Sequence, residues 1–282
     1  MKILVFTPTN KPGIDITLLT LARQTLAQNI TWVISDEYYE QRKELWSEVK
    51  KLGWLWNVFA FQTPRLTDEG AYLSSSYNKA LEIGRMLEVD LFISLQDYIW
   101  VLKDGVEKFW NRSIAEPKAI LTGLTSISGR PLLKEKNSGP FEISTYSIFG
   151  RKIKQGKMNL SKEVNCNIDQ MHWIDCRTQR FGIEGGPIVE VHPIEWEMNW
   201  SAIPREILKN ENVNFDTRYD KGIAYENQDY AAQCQAAGYK VLLDKDNVSL
   251  SYPHELYFKE QKKRREEIAQ VNRDMHFKKW NF

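Results

Sequence analysis

Short apolar runs alternate with stretches of helical period through the first hundred residues. Ile3 to Thr7, Ile30 to Ser35 and Leu91 to Leu95 are almost continuously apolar, the pattern of strands covered on both faces. Trp56 to Phe61 is a further candidate strand. Between these runs, Ile14 to Ala27 places Leu18, Leu21, Ala22 and Thr25 on one side, and Glu40 to Leu52 does the same with Leu45, Trp46 and Val49. Ser74 to Leu87 is a third helix, with its serine run expected to act as the cap. The segment Pro8 to Gly13 carries turn residues. Strands that alternate with helices imply right-handed crossovers and a mostly parallel sheet flanked by helices, an α/β fold of Rossmann-like type.

The second half is less regular. Ala119 to Leu124, Ile188 to Val191 and Lys240 to Leu243 predict strands, and Val248 to Tyr252 is strand-like. Ile203 to Lys209 predicts a short helix started by Pro204, and Gln228 to Ala237 a firmer one stopped by Gly238. Residues 132–159 read as a polar loop. Residues 258–282 form a charged helix with a thin apolar stripe, Ile268, Val271 and Met275, expected to pack back on the domain. The basic run from Lys259 to Arg265 is interleaved with glutamates, as on a solvated helix face. The organisation expected is one domain over 1–257, with a nucleotide-binding half over 1–101 and an acceptor half over 102–257, and a helical tail over 258–282.

Composition narrows the classes. With 38 basic and 37 acidic residues in 282, the net charge of +1 gives no field that would draw the chain to nucleic acid or to a membrane. Three cysteines, at 166, 176 and 234, are too few and odd in number for a disulfide framework. Cys166, His172 and Cys176 cluster without the fourth ligand that a structural zinc site needs. A strand begins at Lys2, leaving no room for a signal peptide, and the apolar stretch from Leu52 to Phe61 is too short to span a membrane. A cytoplasmic protein is expected.

The chemistry lies at the strand ends. Thr7-Pro8-Thr9, Asp36-Glu37 and Gln96-Asp97 each close an apolar run, and in a parallel sheet they fall on one rim, where open α/β sheets bind ligands. A carboxylate there is costly to bury without a cation, which a divalent metal carrying a nucleotide diphosphate would supply. A strand-end Asp that merely caps a turn is the plainer alternative. No Gly-x-Gly-x-x-Gly and no P-loop follows the first strand. Glu226 and Asp229, three apart, share a helix face as candidate bases, although acids also favour a first helical turn for dipole reasons. Trp196 and Trp200 flank Asn199, either as an aromatic wall for a sugar ring or as core.

These residues stand in an order that resembles the family 2 glycosyltransferases of GT-A fold. The resemblance runs through Leu21-Ala22-Arg23-Gln24-Thr25, Asp36-Glu37, Ser76-Tyr77-Asn78-Lys79-Ala80 and Leu95-Gln96-Asp97-Tyr98. It continues through Glu195-Trp196-Glu197-Met198-Asn199-Trp200 with Pro204-Arg205-Glu206, then Phe215-Asp216 with Glu226-Asn227-Gln228-Asp229, His254, and Asn272 with Phe277-Lys278-Lys279-Trp280. It implies an inverting transferase that moves a sugar from a nucleotide diphosphate-sugar, UDP-sugar foremost, to an acceptor hydroxyl with help from Mn²⁺ or Mg²⁺. Thr7, Pro8, Thr9, Asp36, Asn78, Gln96 and Asp97 would bind the donor. Asp97 and His254 would hold the metal, Trp196, Asn199 and Trp200 would line the acceptor pocket, and Glu226 or Asp229 would be the base. The sequence departs from the family in having one carboxylate at Gln96-Asp97-Tyr98 and an amide at Glu226-Asn227, which leaves metal use and the identity of the base open. A nucleotidyltransferase and a non-catalytic nucleotide-sugar-binding module are the rival expectations. The acceptor is left open among a glycan, a lipid-linked sugar, a protein and a modified DNA base.

Overall fold

A computed structural model describes residues 1–9, 15–64, 72–97, 99–127, 177, 187–222, 224–251 and 262–280. The first half runs β1 (Ile3–Thr9), α1 (Asp15–Ala22), β2 (Ile30–Asp36), α2 (Tyr39–Lys51), β3 (Asn57–Gln62), α3 (Leu73–Met86), β4 (Leu91–Leu95), β5 (Ile99–Val101) and α4 (Gly105–Ala115). The second runs β6 (Ala119–Ile127), β7 (Ile188–Glu190), β8 (Trp200–Pro204), α5 (Arg205–Leu208), α6 (Glu226–Ala236), β9 (Lys240–Ser251) and α7 (Lys262–Trp280). Among the described residues nine strands form one sheet, ordered β3-β2-β1-β4-β8-β6-β9-β5, with β7 also on β9.

The strands β3, β2, β1 and β4 are parallel, as the strand–helix alternation requires. Beyond them the sheet is mixed. β8 enters antiparallel between β4 and β6, while β6 and β9 run parallel and β5 and β7 are antiparallel to β9. The continuous apolar runs follow from burial on both faces. Ile3 and Val5 of β1 join Trp32, Trp46, Leu91 and Ile93 on one side of the sheet. Leu4 and Phe6 join Val33, Tyr77, Phe92 and Tyr230 on the other.

Three local expectations change. Pro204 closes strand β8 and Arg205 opens the helix, because Ile203 pairs with Phe92 in the sheet. The serines do not cap α3, whose cap position is Tyr72 in a left-handed conformation. They lie within its first turn, where Asp220 from a later 3-10 turn accepts from the Ser75 backbone N–H, at 3.2 Å, and from its hydroxyl. The tail helix docks by a polar face: Asn272 and His276 are 0% and 1% exposed, whereas Val271 of the apolar stripe is 56% exposed. The 132–159 loop, the Cys166, His172 and Cys176 cluster, Tyr98, His254, and the Ile268 side chain lie outside the described residues. No described helix is long and apolar enough to cross a membrane.

A bulge fixes the junction of the two halves. Gly123 pairs with Asp244 but Leu124 pairs with Val248, so residues 245–247 loop out of β9. The Asn247 side chain turns inward, accepting from Trp200 Nε1 at 2.9 Å and donating to the Gly105 carbonyl at 3.0 Å. Gly123 sits beneath it because a Cβ there would lie 2.4 Å from the Asn247 carbonyl oxygen.

Candidate active site

The ends of β1, β2 and β4 meet on one rim, as the sequence leads one to expect. Thr9 pairs with Asp36 across the β1–β2 ladder. The Thr9 hydroxyl donates to Asp97 Oδ2 at 2.8 Å, joining the first strand to the acid beyond the fourth. Asp97 and Thr9 are each 5% exposed.

Asp36 is fully buried and its carboxylate is already engaged. Oδ1 accepts from the Tyr38 backbone N–H at 2.8 Å and from Arg42 at 3.0 Å, and Oδ2 accepts from Trp46 Nε1 at 2.9 Å. Burial raises the Asp36 carboxyl and lowers the Arg42 guanidinium, each against the attraction of the other. A buried pair satisfied in this way is a rigid wall element, and removing one partner would strand the other. Arg42 also feels the charge of Asp97, so both acids share one cation.

Beside the rim, α3 meets β4 at Tyr77. Tyr77 of α3 is buried, its hydroxyl 2.7 Å from Ser94 Oγ and receiving a bond from Gln96 Nε2 at 3.3 Å. Burial holds that phenol protonated, and the negative charges of Glu226 and Asp97 reinforce this.

Glu226 opens α6 and is 6% exposed. Its Oε2 has no hydrogen-bond partner among the described residues. Burial, with smaller contributions from Glu197 and Asp220, pushes its carboxyl up from 4.5 to about 7. A carboxylate in that range can take a proton at neutral pH and return it.

Asp229 is placed differently. It is fully buried and accepts from Gln233 at 2.7 Å, Trp280 at 2.8 Å and Tyr219 at 3.3 Å, and it pairs with Lys279 at 2.8 Å. Its oxygens thus anchor α7 to α6. Asn78 is likewise committed, donating to and accepting from the Phe215 backbone at 2.8 Å each way. Thr7 accepts from Trp32 Nε1 at 3.0 Å inside the sheet, and Pro8 is buried beside Ser35.

The aromatic wall expected of Trp196 and Trp200 is corrected: both are 0% exposed. Trp196 stacks on Tyr230 and donates to the Leu121 carbonyl, and Trp200 lies on Phe109. Strand β8 carries Trp200 into the middle of the sheet, so neither ring offers a face to a ligand. Asn199 between them is partly exposed, and its carbonyl accepts from the Gln96 N–H at 3.1 Å. Arg42 and Asp220 are the residues that sequence reasoning missed, and Tyr77 entered it only within the Ser76-Tyr77-Asn78 stretch. Of the two, Arg42 left a signal, as a cation one helical turn into the element after the acidic strand end.

Among the described residues, no three His, Cys, Asp or Glu side chains converge as a complete metal site. The donor set present is the single carboxylate of Asp97. That suits a hard divalent ion held by one carboxylate together with substrate phosphates and water, the arrangement common for Mg²⁺.

No family profile and no curated protein matches the chain. Solved structures do. S. aureus TarS 1-349 in complex with UDP-GlcNAc superposes with a TM-score of 0.54 at 14% identity, over 90% of this chain and 59% of that one. The same protein with UDP gives 0.53 at 13% identity, over 90% and 61%. GalNAc-T7 with UDP, GalNAc and Mn²⁺ gives 0.55 at 14% identity, over 90% and 44%. The chain thus spans between 44% and 61% of the length of these neighbours. The likeness shows the fold: a sheet of GT-A type flanked by helices, whose neighbours were solved with UDP or UDP-GlcNAc in place.

Proposed function

We propose that the protein is an inverting glycosyltransferase that moves a sugar from a UDP-sugar to an acceptor hydroxyl in the cytoplasm. The observation that carries this reading is Glu226, buried with one carboxylate oxygen that has no hydrogen-bond partner among the described residues, and with its carboxyl pushed up to about 7. Such a transfer needs the leaving diphosphate neutralised at one end and the acceptor hydroxyl deprotonated at the other. The two carboxylates answer those needs separately. The neighbours' UDP and UDP-GlcNAc support the donor class, and the family resemblance supports inversion. A single displacement asks for no protein nucleophile.

In this reading Glu226 accepts the acceptor proton as the hydroxyl attacks the anomeric carbon. Asp97, oriented by the Thr9 hydroxyl, would hold Mn²⁺ or Mg²⁺ where the donor diphosphate binds, and the ion would supply charge neutralisation there. Gln96 donates to the Tyr77 hydroxyl, which keeps that part of the site polar yet uncharged. The Asp36–Arg42 pair shapes the base side of the donor site as a fixed wall. Asn78 acts by holding the backbone at Phe215. Asp229 serves as an anchor, which leaves Glu226 as the base.

The test is calorimetry with UDP and UDP-sugars, with and without Mn²⁺, beside assays of UDP release over a panel of glycan, lipid-linked and peptide acceptors. Asp97→Ala should remove the metal-dependent part of donor binding. Glu226→Gln should keep donor binding and lower kcat by roughly 10²-fold, the range for loss of a general base. Donor binding without turnover across the panel would point instead to a binding module. Equal binding and turnover in excess EDTA would remove the metal from the scheme.

A further inference from the structure

Glu226 is aimed by an unusual piece of backbone. The two residues before it, Ala224 and Tyr225, have φ of 66° and 67°, adjacent left-handed residues that both carry side chains. L-residues disfavour that conformation, and two in succession persist only where the surroundings over-determine them. The turn would otherwise relax, and the first residue of α6 would swing with it.

The over-determination comes from α7. Asn272 is fully buried, and its Nδ2 donates to the Tyr219 carbonyl and to the Ala224 carbonyl, at 2.9 Å each. One amide thus ties the start of the 219–224 segment to the first left-handed residue. A turn further along α7, the buried His276 ring lies 5.4 Å from the Tyr225 ring. Another turn on, Lys279 and Trp280 grip Asp229 in the first turn of α6. The Asn272 Oδ1 has no hydrogen-bond partner among the described residues. An apolar side chain would avoid that cost, so the amide earns its place through its N–H bonds.

We propose that Asn272 is a positioning residue, which holds the left-handed Ala224–Tyr225 turn through two backbone carbonyls and so aims Glu226 into the crevice. This rests on the reading of Glu226 as the base. The bonds of Asn272 reach only main-chain atoms, so its action on the reaction is wholly through the turn. Loss of the amide lets the turn relax, hydrates the Glu226 carboxyl and spreads its positions, while the donor side at Asp97 and Asp36 is untouched.

The experiment compares the full chain with Asn272→Ala and with Asn272→Ala combined with Ala224→Gly. It reads kcat, donor KM, the pH profile of kcat and the titration of Glu226 by carbon-13 NMR. Asn272→Leu, which keeps the volume, replaces the alanine variant if that does not fold. The single variant should lose about tenfold in kcat, as small misplacements of reacting groups do, with donor KM within about twofold. The acid limb of kcat, and the Glu226 titration, should move to lower pH because burial is what holds them up. Glu197, Asp220 and Tyr77, which face Glu226, are unchanged by the substitution. Glycine adopts the left-handed conformation without penalty, so Ala224→Gly should restore several-fold of the lost kcat. A merely structural Asn272 would be rescued by nothing at Ala224. Wild-type kcat and pH limb in the single variant would overturn the proposal, as would a loss of kcat that follows melting temperature alone, with the Glu226 titration unmoved. If Glu226→Gln leaves transfer intact, the base assignment fails on its own, and the NMR titration still decides whether Asn272 positions that carboxyl.

Discussion

Glu226 makes a statement about stability as well as chemistry. Its carboxyl titrates near 7 when folded and at 4.5 ordinarily, so the folded state holds a proton that the unfolded chain has released between those values. Stability contributed by such a group is present below pH 4.5 and falls as pH rises through about 7. Glu226→Gln should therefore match the wild type in stability below pH 4.5 and exceed it above pH 7, by about 3 kcal/mol, read as a higher melting temperature. Thermal melts across that range check this, and a difference that does not vary with pH would mean the carboxyl is hydrated. The sequence named the acids on the rim but not what each acid would meet. Asp36, Asp97, Glu226 and Asp229 look alike as letters, yet one is paired with Arg42, one with Thr9, one has an oxygen without a partner among the described residues and one is gripped by a helix fifty residues later. Those differences arise from contacts made across the fold, which no local spacing encodes.

At the scale of elements, α7 shows how a helix with a weak apolar stripe can still be fixed in place. Lys279 reaches Asp216 at 3.0 Å and Asp229 at 2.8 Å, and Asp229 is fully buried. Arg218 and then Lys279 hold the Asp216 carboxyl well below its ordinary 3.8. Lys279→Met would leave a buried carboxylate short of its cation, costing roughly 3 kcal/mol, or several degrees of melting temperature. A depressed carboxyl stabilises above its ordinary value and loses that contribution as pH falls through the folded value. The gap between variant and wild type should thus be widest near neutrality and shrink below pH 3.8. The existence of α7 was legible in the sequence; its docking face was not, because buried Asn272 and His276 and half-buried Lys279 read as solvated positions. The sequence shows no helix at α4, although Val106 and Phe109 stand three apart, and gives the last two residues of β8 to the helix that follows, because Pro204 is equally at home at a helix start.

Across the whole molecule, the parallel half of the sheet could be read from its alternation and the mixed half could not. Antiparallel insertion of β8 needs no crossover helix to announce it, and its five residues are all buried. Within the mixed half, the β6–β9 bulge depends on Gly123, where a Cβ would meet the Asn247 carbonyl and the Trp200 ring at 2.4 Å each. Backbone cannot yield as a flexible side chain can, so Gly123→Ala should cost about 3 kcal/mol or more, read as a lower urea midpoint. An unchanged midpoint would show that the bulge can slide. The clasp of α7 on the 216–229 segment adds a temporal order to this assembly. The bonds from Asn272 to Tyr219 and Ala224 span 53 and 48 residues of chain. During synthesis the sheet and α6 therefore emerge while the turn ahead of Glu226 is still unclamped. Such a nascent species would carry every described strand of the sheet and the proposed donor rim, yet lack an aimed acid. Competence to react would arrive in a separate, later step, when the helix lands.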